Sequence, residues 1–466
     1  MTERPPARWR APEAWAVAVA AAGVYVLVAV LQWRRLEAPS WDLAIFTQLA
    51  KAYAGLDAPV VPIKGDGFNL LGDHFHPLLV LLGPVYAVAP SGLSLLVLQA
   101  LLVAVSAWPL TALAVRRLGR WPGVALGAAY VLSHGIQGAI RSQFHEIAFA
   151  LPLLALGLCA LLERRWRASL LWLAPLVLVK EDLGLLVAVL GLVMWWRGAR
   201  RAGLGLAAWG LGWFVLATAV VLPALNPRGR YDYTDNLSVG DVLGDPLTAL
   251  AGVLGPGEKV VTVLLLVLAA GVVGVRSPIL LAAVPTLAWR FLGDVPFYWT
   301  WEWHYDAVLM PLAAAALLDA LGRRPEPGAP EHRAHRVRSA LALGAAWLAV
   351  VLAAPGLPVA DLARPDTWRA SPRTPAAQEV LDTVPEGAVV ASDIALLARL
   401  VPTTTALWSG TADNPAPDYY VIDREGPTWG GAPPEDAARY AEGRHPGTDY
   451  ETVLDRGGYQ VARRVG

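Results

Sequence analysis

Five short polar clusters interrupt an otherwise apolar chain, and their residue types define the chemistry open to it. Asp42, in Trp41-Asp42-Leu43-Ala44-Ile45-Phe46, offers a carboxylate that can act as a general base or as a metal ligand. The alternative is a loop Asp capping the helix that follows. Gly72-Asp73-His74-Phe75-His76-Pro77 packs an acid and two imidazoles into four residues, which suits metal binding or proton shuttling. Its spacing matches no structural zinc site, and a polar cap on a short helix from Leu78 to Tyr86 explains it equally well.

Arg141-Ser142-Gln143-Phe144-His145-Glu146 offers a guanidinium for bidentate phosphate recognition, with interfacial snorkelling as the competing account. Lys180-Glu181-Asp182 offers an ammonium as a point charge for a phosphate or diphosphate. An internal ion pair with Glu181 or Asp182 is its alternative. His304, in Glu302-Trp303-His304-Tyr305-Asp306, is either a head-group ligand or an interfacial belt residue. His134, in Ser133-His134-Gly135, reads as a packed, hydrogen-bonded side chain. No Ser/His/Asp order, H-E-x-x-H, cysteine pair, G-x-G-x-x-G or phosphate loop is present.

The elements that must position these groups are membrane helices. The 466 residues are 56% hydrophobic and only 16% charged, with a mean hydropathy of +0.45. Soluble domains carry roughly 25% charge. Lys+Arg and Asp+Glu both number 38, and the zero balance argues against nucleic acid as a partner. The single cysteine, Cys159, can form no internal disulfide and reads as a packing residue.

A span needs about 20 apolar residues, and basic residues mark the cytoplasmic side. Arg4, Arg8 and Arg10 place the N-terminus inside. The first apolar run, Ala14 to Leu31, is too long for a signal-peptide core and reads as a retained anchor, with its span reaching about Trp33. Spans follow from Gly92 to Val115, Trp121 to Ile140 and Ile147 to Leu162. Ser169 to Trp196 must break at Lys180-Glu181-Asp182, because three central charges would cost roughly 2.5–3.5 kcal/mol each. Leu204 to Leu222, Val260 to Val275, Pro278 to Phe291, Asp306 to Leu321 and Ala340 to Ala354 complete about eleven spans. A polar loop from Asn226 to about Leu243 lies between two of them. The basic clusters near Arg116, Arg164, Arg200 and Arg323 all fall on one side of this alternation, and the polar clusters fall on the other. Gly123 and Gly127, and Gly203, Gly205, Gly210 and Gly212, allow close helix packing. Trp33, Trp41, Trp195, Trp196, Trp299, Trp301 and Trp303 sit where an aromatic belt belongs.

The expected fold is therefore a mainly α, polytopic transmembrane bundle over 1–354, with an outer loop at 34–91. A linker at 355–380 leads to a small extracytoplasmic α/β domain at 381–466. Its expected strands are Ala388 to Ala391, Thr403 to Leu407, Tyr419 to Ile422 and Tyr459 to Arg463. Its expected helices are Ile394 to Leu400 and Glu435 to Tyr440.

Four motifs in order carry a resemblance. Asp42-Leu43-Ala44-Ile45-Phe46-Thr47-Gln48 resembles a D-L-x-I-F-x-Q signature, and Leu71 to Pro77 resembles L-G-D-H-F-x-P. Phe144-His145-Glu146 and Val179-Lys180-Glu181-Asp182-Leu183 match two more. Together they resemble the bacterial membrane family catalogued as domain of unknown function 2079, with departures at Trp41, where Phe is usual, and His76, where Ser is common. That family is similar in architecture to the C-type glycosyltransferases. The resemblance implies transfer of a sugar from a polyprenyl-phosphate donor at the outer face of the cell membrane to a glycan, lipid or protein acceptor. It implies Asp42 as the catalytic carboxylate and Arg141 or Lys180 as candidates for the donor phosphate; His145 and His304 are further candidates for the phosphate or head group. Asp73, His74, His76, Glu181 and Asp182 form a supporting polar cluster. No redox cofactor is called for; a divalent metal beside Asp42 is an alternative to direct base catalysis. The competing functional classes are a transporter or lipid flippase using the same charges, and a non-catalytic membrane assembly protein.

Overall fold

The computed structural model describes residues 11–38, 41–233, 252, 255–326, 328–426 and 429–465. Arg4, Arg8, Arg10 and the part of the polar loop from 234 onward lie outside them. Among the described residues, Pro12–Arg34, Gly92–Leu118, Arg120–Arg141, Arg200–Leu225 and Glu331–Ala353 are helices long and apolar enough to cross a membrane. Pro296–Asp306 and Leu309–Leu321, bent by 68°, add a sixth if taken as one span. Other sequence-predicted spans are shorter apolar helices: Glu146–Leu162, Trp166–Leu178, Leu183–Trp196 and Pro278–Leu292. Three of these contain 3₁₀ turns, at Glu146–Phe149, Ala174–Leu178 and Pro278–Ala283. The 3₁₀ rise of about 2.0 Å per residue stretches fewer residues over more depth. As the charge argument requires, one helix ends at Leu178 and the next starts at Leu183.

Gly92–Leu118 is the central post. The Ser91 hydroxyl accepts from the Leu93 amide at its start, and Arg116 and Arg117 lie in its last turn, where the helix dipole favours cations. It packs on Pro12–Arg34, Arg120–Val131 and Ala150–Leu162. At 27 residues it is about 40 Å long, so its ends are far apart. One end is basic: Arg117, Arg164, Arg197 and Arg323 line a common hollow, and Arg197 pairs with Asp319. Near the other end, Gln99 Nε2 donates to the carbonyls of Ala139 (2.9 Å) and Gln143 (2.8 Å). Cys159 is buried and free.

The chain's C-terminal part holds a five-stranded sheet in the order β2-β1-β3-β5-β4. Its strands are β1 (Val389–Ser392), β2 (Thr405–Trp408), β3 (Tyr419–Asp423), β4 (Asp449–Arg456) and β5 (Tyr459–Val465). β1 runs parallel to β2 and β3, whereas β5 is antiparallel to β3 and β4. β4 was not expected, because an edge strand with one buried side chain, Tyr450, shows no apolar alternation. The linker stretch also runs into a helix, Thr374–Thr383, which buries Ala376, Ala377 and Val380 against the sheet.

This sheet is fastened to the helix that carries Asp42, Trp41–Ala54. Gln48 Nε2 donates to the Ala406 carbonyl (2.9 Å), and Lys51 Nζ donates to those of Val401 (2.8 Å) and Thr404 (2.9 Å). The Trp41 ring meets Trp408 edge-on, with 4.5 Å between centroids. On its other faces the helix buries Leu43, Ala44, Ile45, Phe46 and Leu49 in the bundle core.

The glycines of Arg200–Leu216 divide by face. A Cβ on Gly203 would sit 2.6 Å from the Gly191 carbonyl oxygen, while one on Gly205 would meet nothing within 4 Å. Gly203→Val is expected to lower the thermal unfolding midpoint in detergent, at a cost of about 1–3 kcal/mol, and Gly205→Val to leave it unchanged. Equal effects from both would refute this packing.

Candidate functional site

The polar clusters meet in a cavity of about 480 Å³ at the end of the bundle where the sheet docks. Asp42, Asp73, His74, His76, His145, Glu146, Lys180, Glu181, Asp182 and His304 all line it. Trp41, Phe46, Leu185, Phe214, Trp289, Phe297, Tyr298 and Tyr305 supply apolar and aromatic wall.

Asp42 stands in the first turn of its helix with its side chain 44% exposed to this space. Its Oδ2 lies 3.3 Å from His145 Nε2. Gln99 Oε1 accepts from the His145 backbone amide (3.0 Å), so the central helix fixes the residue facing Asp42. The His145 ring stacks on His304 with 3.6 Å between centroids. Lys180 Nζ pairs with Glu146 Oε1 at 2.8 Å, the two side chains being only 12% and 3% exposed. The partner that local sequence suggested, Glu181 or Asp182, is thus replaced by a carboxylate from another segment. Glu181 is held by three donors: His74 Nδ1 (2.7 Å) and Tyr231 OH (3.0 Å) on Oε1, and the Phe75 amide (2.9 Å) on Oε2. Lys64 pairs with Asp73 at 3.1 Å.

These pairs set the charge states. Enclosure within the cavity, which limits its hydration, opposes ionisation of Asp42, but the adjacent His145 outweighs this and holds the carboxyl below its usual value. Burial likewise disfavours the His145 cation, yet Asp42 raises its pKa above the ordinary value. Glu181 is held down to about 2 despite burial, chiefly by His74, whose own pKa is raised by Glu181. Lys180 is raised by Glu146 against the penalty of burial. His76 is pushed down to about 4 by burial. Asp182 differs: burial, reinforced by Glu181 and opposed by Lys180, pushes it up to about 6. Its Oδ1 is buried with no hydrogen-bond partner among the described residues. The cavity thus holds four pairs of a basic and an acidic side chain, two built on lysine and two on histidine, and one carboxylate over.

Arg141 does not belong to the cavity, contrary to the sequence expectation. It ends the His134–Arg141 helix, is exposed, and reaches the Gly356 carbonyl at 3.4 Å. A cation in the last turn of a helix is already favoured there by the dipole. His134 is the packed residue expected, 3.0 Å from Asp306 Oδ2 with both side chains fully buried.

Three relevant residues escaped sequence reasoning. Arg290 and Asp306 form a fully buried pair at 2.5 Å, and Arg290 also donates to the carbonyls of Tyr298 (2.8 Å) and Thr300 (3.1 Å). They hold the bent segment that presents Tyr298, His304 and Tyr305. An arginine inside the apolar run Pro278 to Phe291 was the available signal. Lys64 is the third. Of 38 basic residues only four are lysines, namely Lys51, Lys64, Lys180 and Lys259. Each holds a specific partner: Lys51 the sheet, Lys64 and Lys180 cavity carboxylates, and Lys259 the Phe291 carbonyl at 2.8 Å.

Among the described residues, no three His, Cys, Asp or Glu side chains converge to hold a metal ion. Of the other cavity carboxylates, Glu146 is engaged by Lys180 and Glu181 by His74.

Asp182→Asn, which keeps the shape and removes the charge, is expected to raise the thermal unfolding midpoint in detergent. The folded pKa is raised from 3.8 to about 6, so the penalty for ionising Asp182 grows between those values and is constant above them. The gain should therefore be largest above about pH 6 and vanish as the pH falls towards 3.8. A gain independent of pH would refute the assignment.

No curated protein matches the chain. Its fold is similar to that of ArnT from Cupriavidus metallidurans, solved bound to undecaprenyl phosphate. The TM-score is 0.53 at 13% identity, covering 98% of this chain and 99% of that one. The likeness is one of fold. Residues 32–461 match the family described as "Predicted membrane protein (DUF2079)", and the chain belongs to that family of membrane proteins.

Proposed function

We propose that this protein is a membrane glycosyltransferase that takes a sugar from a polyprenyl-phosphate donor at the outer face of the membrane. The observation that carries the reading is the cavity itself. It joins an exposed carboxylate, two ammonium groups and an aromatic wall at the edge of an apolar bundle. A polyprenyl-phosphate sugar has its tail in the bilayer and its head at the boundary, so its enzyme needs charge at that depth. The basic hollow at the opposite end supports the orientation by the positive-inside rule. The similar fold of ArnT, a protein solved with undecaprenyl phosphate, supports the donor class.

In this reading the acceptor hydroxyl gives its proton to Asp42 as its oxygen attacks the anomeric carbon. The bond from that carbon to the phosphate oxygen breaks, and its electron pair leaves on polyprenyl phosphate. Lys180 and Lys64 face the developing negative charge. Both are already paired, so an arriving phosphate shares them with Glu146 and Asp73 rather than meeting bare cations.

Native mass spectrometry of the detergent-solubilised protein with polyprenyl phosphate tests the donor site. Lys180→Ala alone would strand Glu146, so Lys180→Met is combined with Glu146→Gln. A hydrogen bond to a charged group is worth about 1.5–3 kcal/mol, so the double variant should bind roughly ten- to 150-fold more weakly. Asp42→Asn should bind as wild type does and lose transfer. Wild-type protein that holds no such lipid would overturn the donor assignment and return attention to a transporter.

A further inference from the structure

An isolated aspartate has a pKa of about 3.9 and is a weak base near neutral pH, where a general base works best with a pKa close to the working pH. The His145 cation makes Asp42 weaker still. The arrangement behind Asp42 resolves this. His145 Nδ1 lies 3.2 Å from the Gln143 carbonyl oxygen. A carbonyl oxygen only accepts, so Nδ1 carries a hydrogen, and Nε2, the nitrogen facing Asp42, is the one that gains and loses a proton. The Gln143 carbonyl is itself fixed. It accepts from Gln99 Nε2 at 2.8 Å, and Gln143 sits at a φ of 68°. That left-handed conformation is uncommon and costly for a side chain larger than glycine.

Resting on the transferase reading, we propose that Asp42 and His145 act as one proton-holding pair, with Asp42 touching the acceptor and His145 as the positioning residue that takes the proton onward. In the reactive state Asp42 is a carboxylate and His145 is neutral. The acceptor O–H bond breaks, its electron pair forms the bond to the sugar, and the proton passes through Asp42 to His145 Nε2. The phosphate leaves with the electrons of the old glycosidic bond, and the pair is left as carboxylate and imidazolium. The 3.3 Å contact is long for transfer, but catalytic contacts tighten when substrate binds. Burial alone would depress His145, yet its pKa is raised, so the pair has the basicity of an imidazole rather than of a carboxylate.

The groups facing His145 are Asp42 from the Trp41–Ala54 helix, His304 stacked on it from the bent segment, and Glu146 next in sequence. Lys180 lies behind Glu146, and Tyr305 lies 4.1 Å from His304 between ring centroids. This role differs from the head-group contact that the motif suggested for His145.

The test is histidine-labelled NMR of the full-length protein in detergent, with the His145 signal assigned by its loss in His145→Gln. A midpoint above the usual value of about 6.5 is expected, falling by about one unit or more in Asp42→Asn. An unchanged midpoint in Asp42→Asn overturns the pair. Polyprenyl phosphate binding to His145→Gln, read by native mass spectrometry, should stay within about threefold of wild type. A large loss there makes His145 a head-group ligand and also overturns the proposal. If wild type binds no polyprenyl phosphate but Asp42→Asn still shifts His145, the proton pair stands and the transferase reading falls.

Discussion

A carboxylate or an ammonium taken out of water loses several kcal/mol of hydration, and only a well-placed partner offsets it. Around this cavity the rule is met pair by pair. Lys180 has Glu146, Glu181 has His74, and Arg290 has Asp306, with the members of each pair drawn from different segments. Removing one partner of such a pair leaves the other buried and uncompensated at a cost of about 3–5 kcal/mol, so each pair fixes which two segments meet, whatever its net contribution to stability. The apolar helices set the depth of the bundle, and these pairs set the register of its polar end.

Two neutral or fully paired groups extend the same control inward. Gln99 satisfies three backbone groups of the segment from Ala139 to His145, and no charge is needed to do so. Arg290 satisfies Asp306 and two carbonyls of the bent segment, fixing the far wall of the cavity. The imidazoles of His145 and His304 are thereby pressed face to face. Two stacked imidazoles repel when both are charged, so the arrangement favours one cation at most. Asp42 lies beside His145, which selects where that cation sits.

Much of the fold was legible because hydropathy and charge cost are local quantities. The break at Lys180-Glu181-Asp182 follows from the expense of three charges at one depth, whatever the rest of the chain does. The composition of the site was legible for the same reason: charged residues in an apolar chain stand out singly. Their pairing was not legible. Lys180 has two acids beside it in sequence and takes Glu146 instead, because backbone direction at the turn decides which carboxylate is in reach. Arg141 matched a phosphate-binding type but faces Gly356, away from the cavity. Edge strand β4 lacked a pattern because one neighbour and one buried side chain impose none. Each miss concerns orientation, which composition and spacing do not carry.

The Trp41–Ala54 helix brings these points together. Its first turn carries Asp42, and Gln48 and Lys51 further along the same rigid rod are fixed to the sheet. Gln48 serves both sides, donating to Ala406 and accepting from the Ile63 amide (3.0 Å). Asp42 is therefore located twice, through His145 on the bundle and through the sheet at the other end of its helix. A reactive group on a rigid element with two supports keeps its geometry far better than one on a free loop. The sheet also stands behind Trp41, a wall of the cavity, through Trp408. Removing the C-terminal part would thus take away the backing of one wall and one of the two supports of Asp42, so the sheet is structurally part of the site.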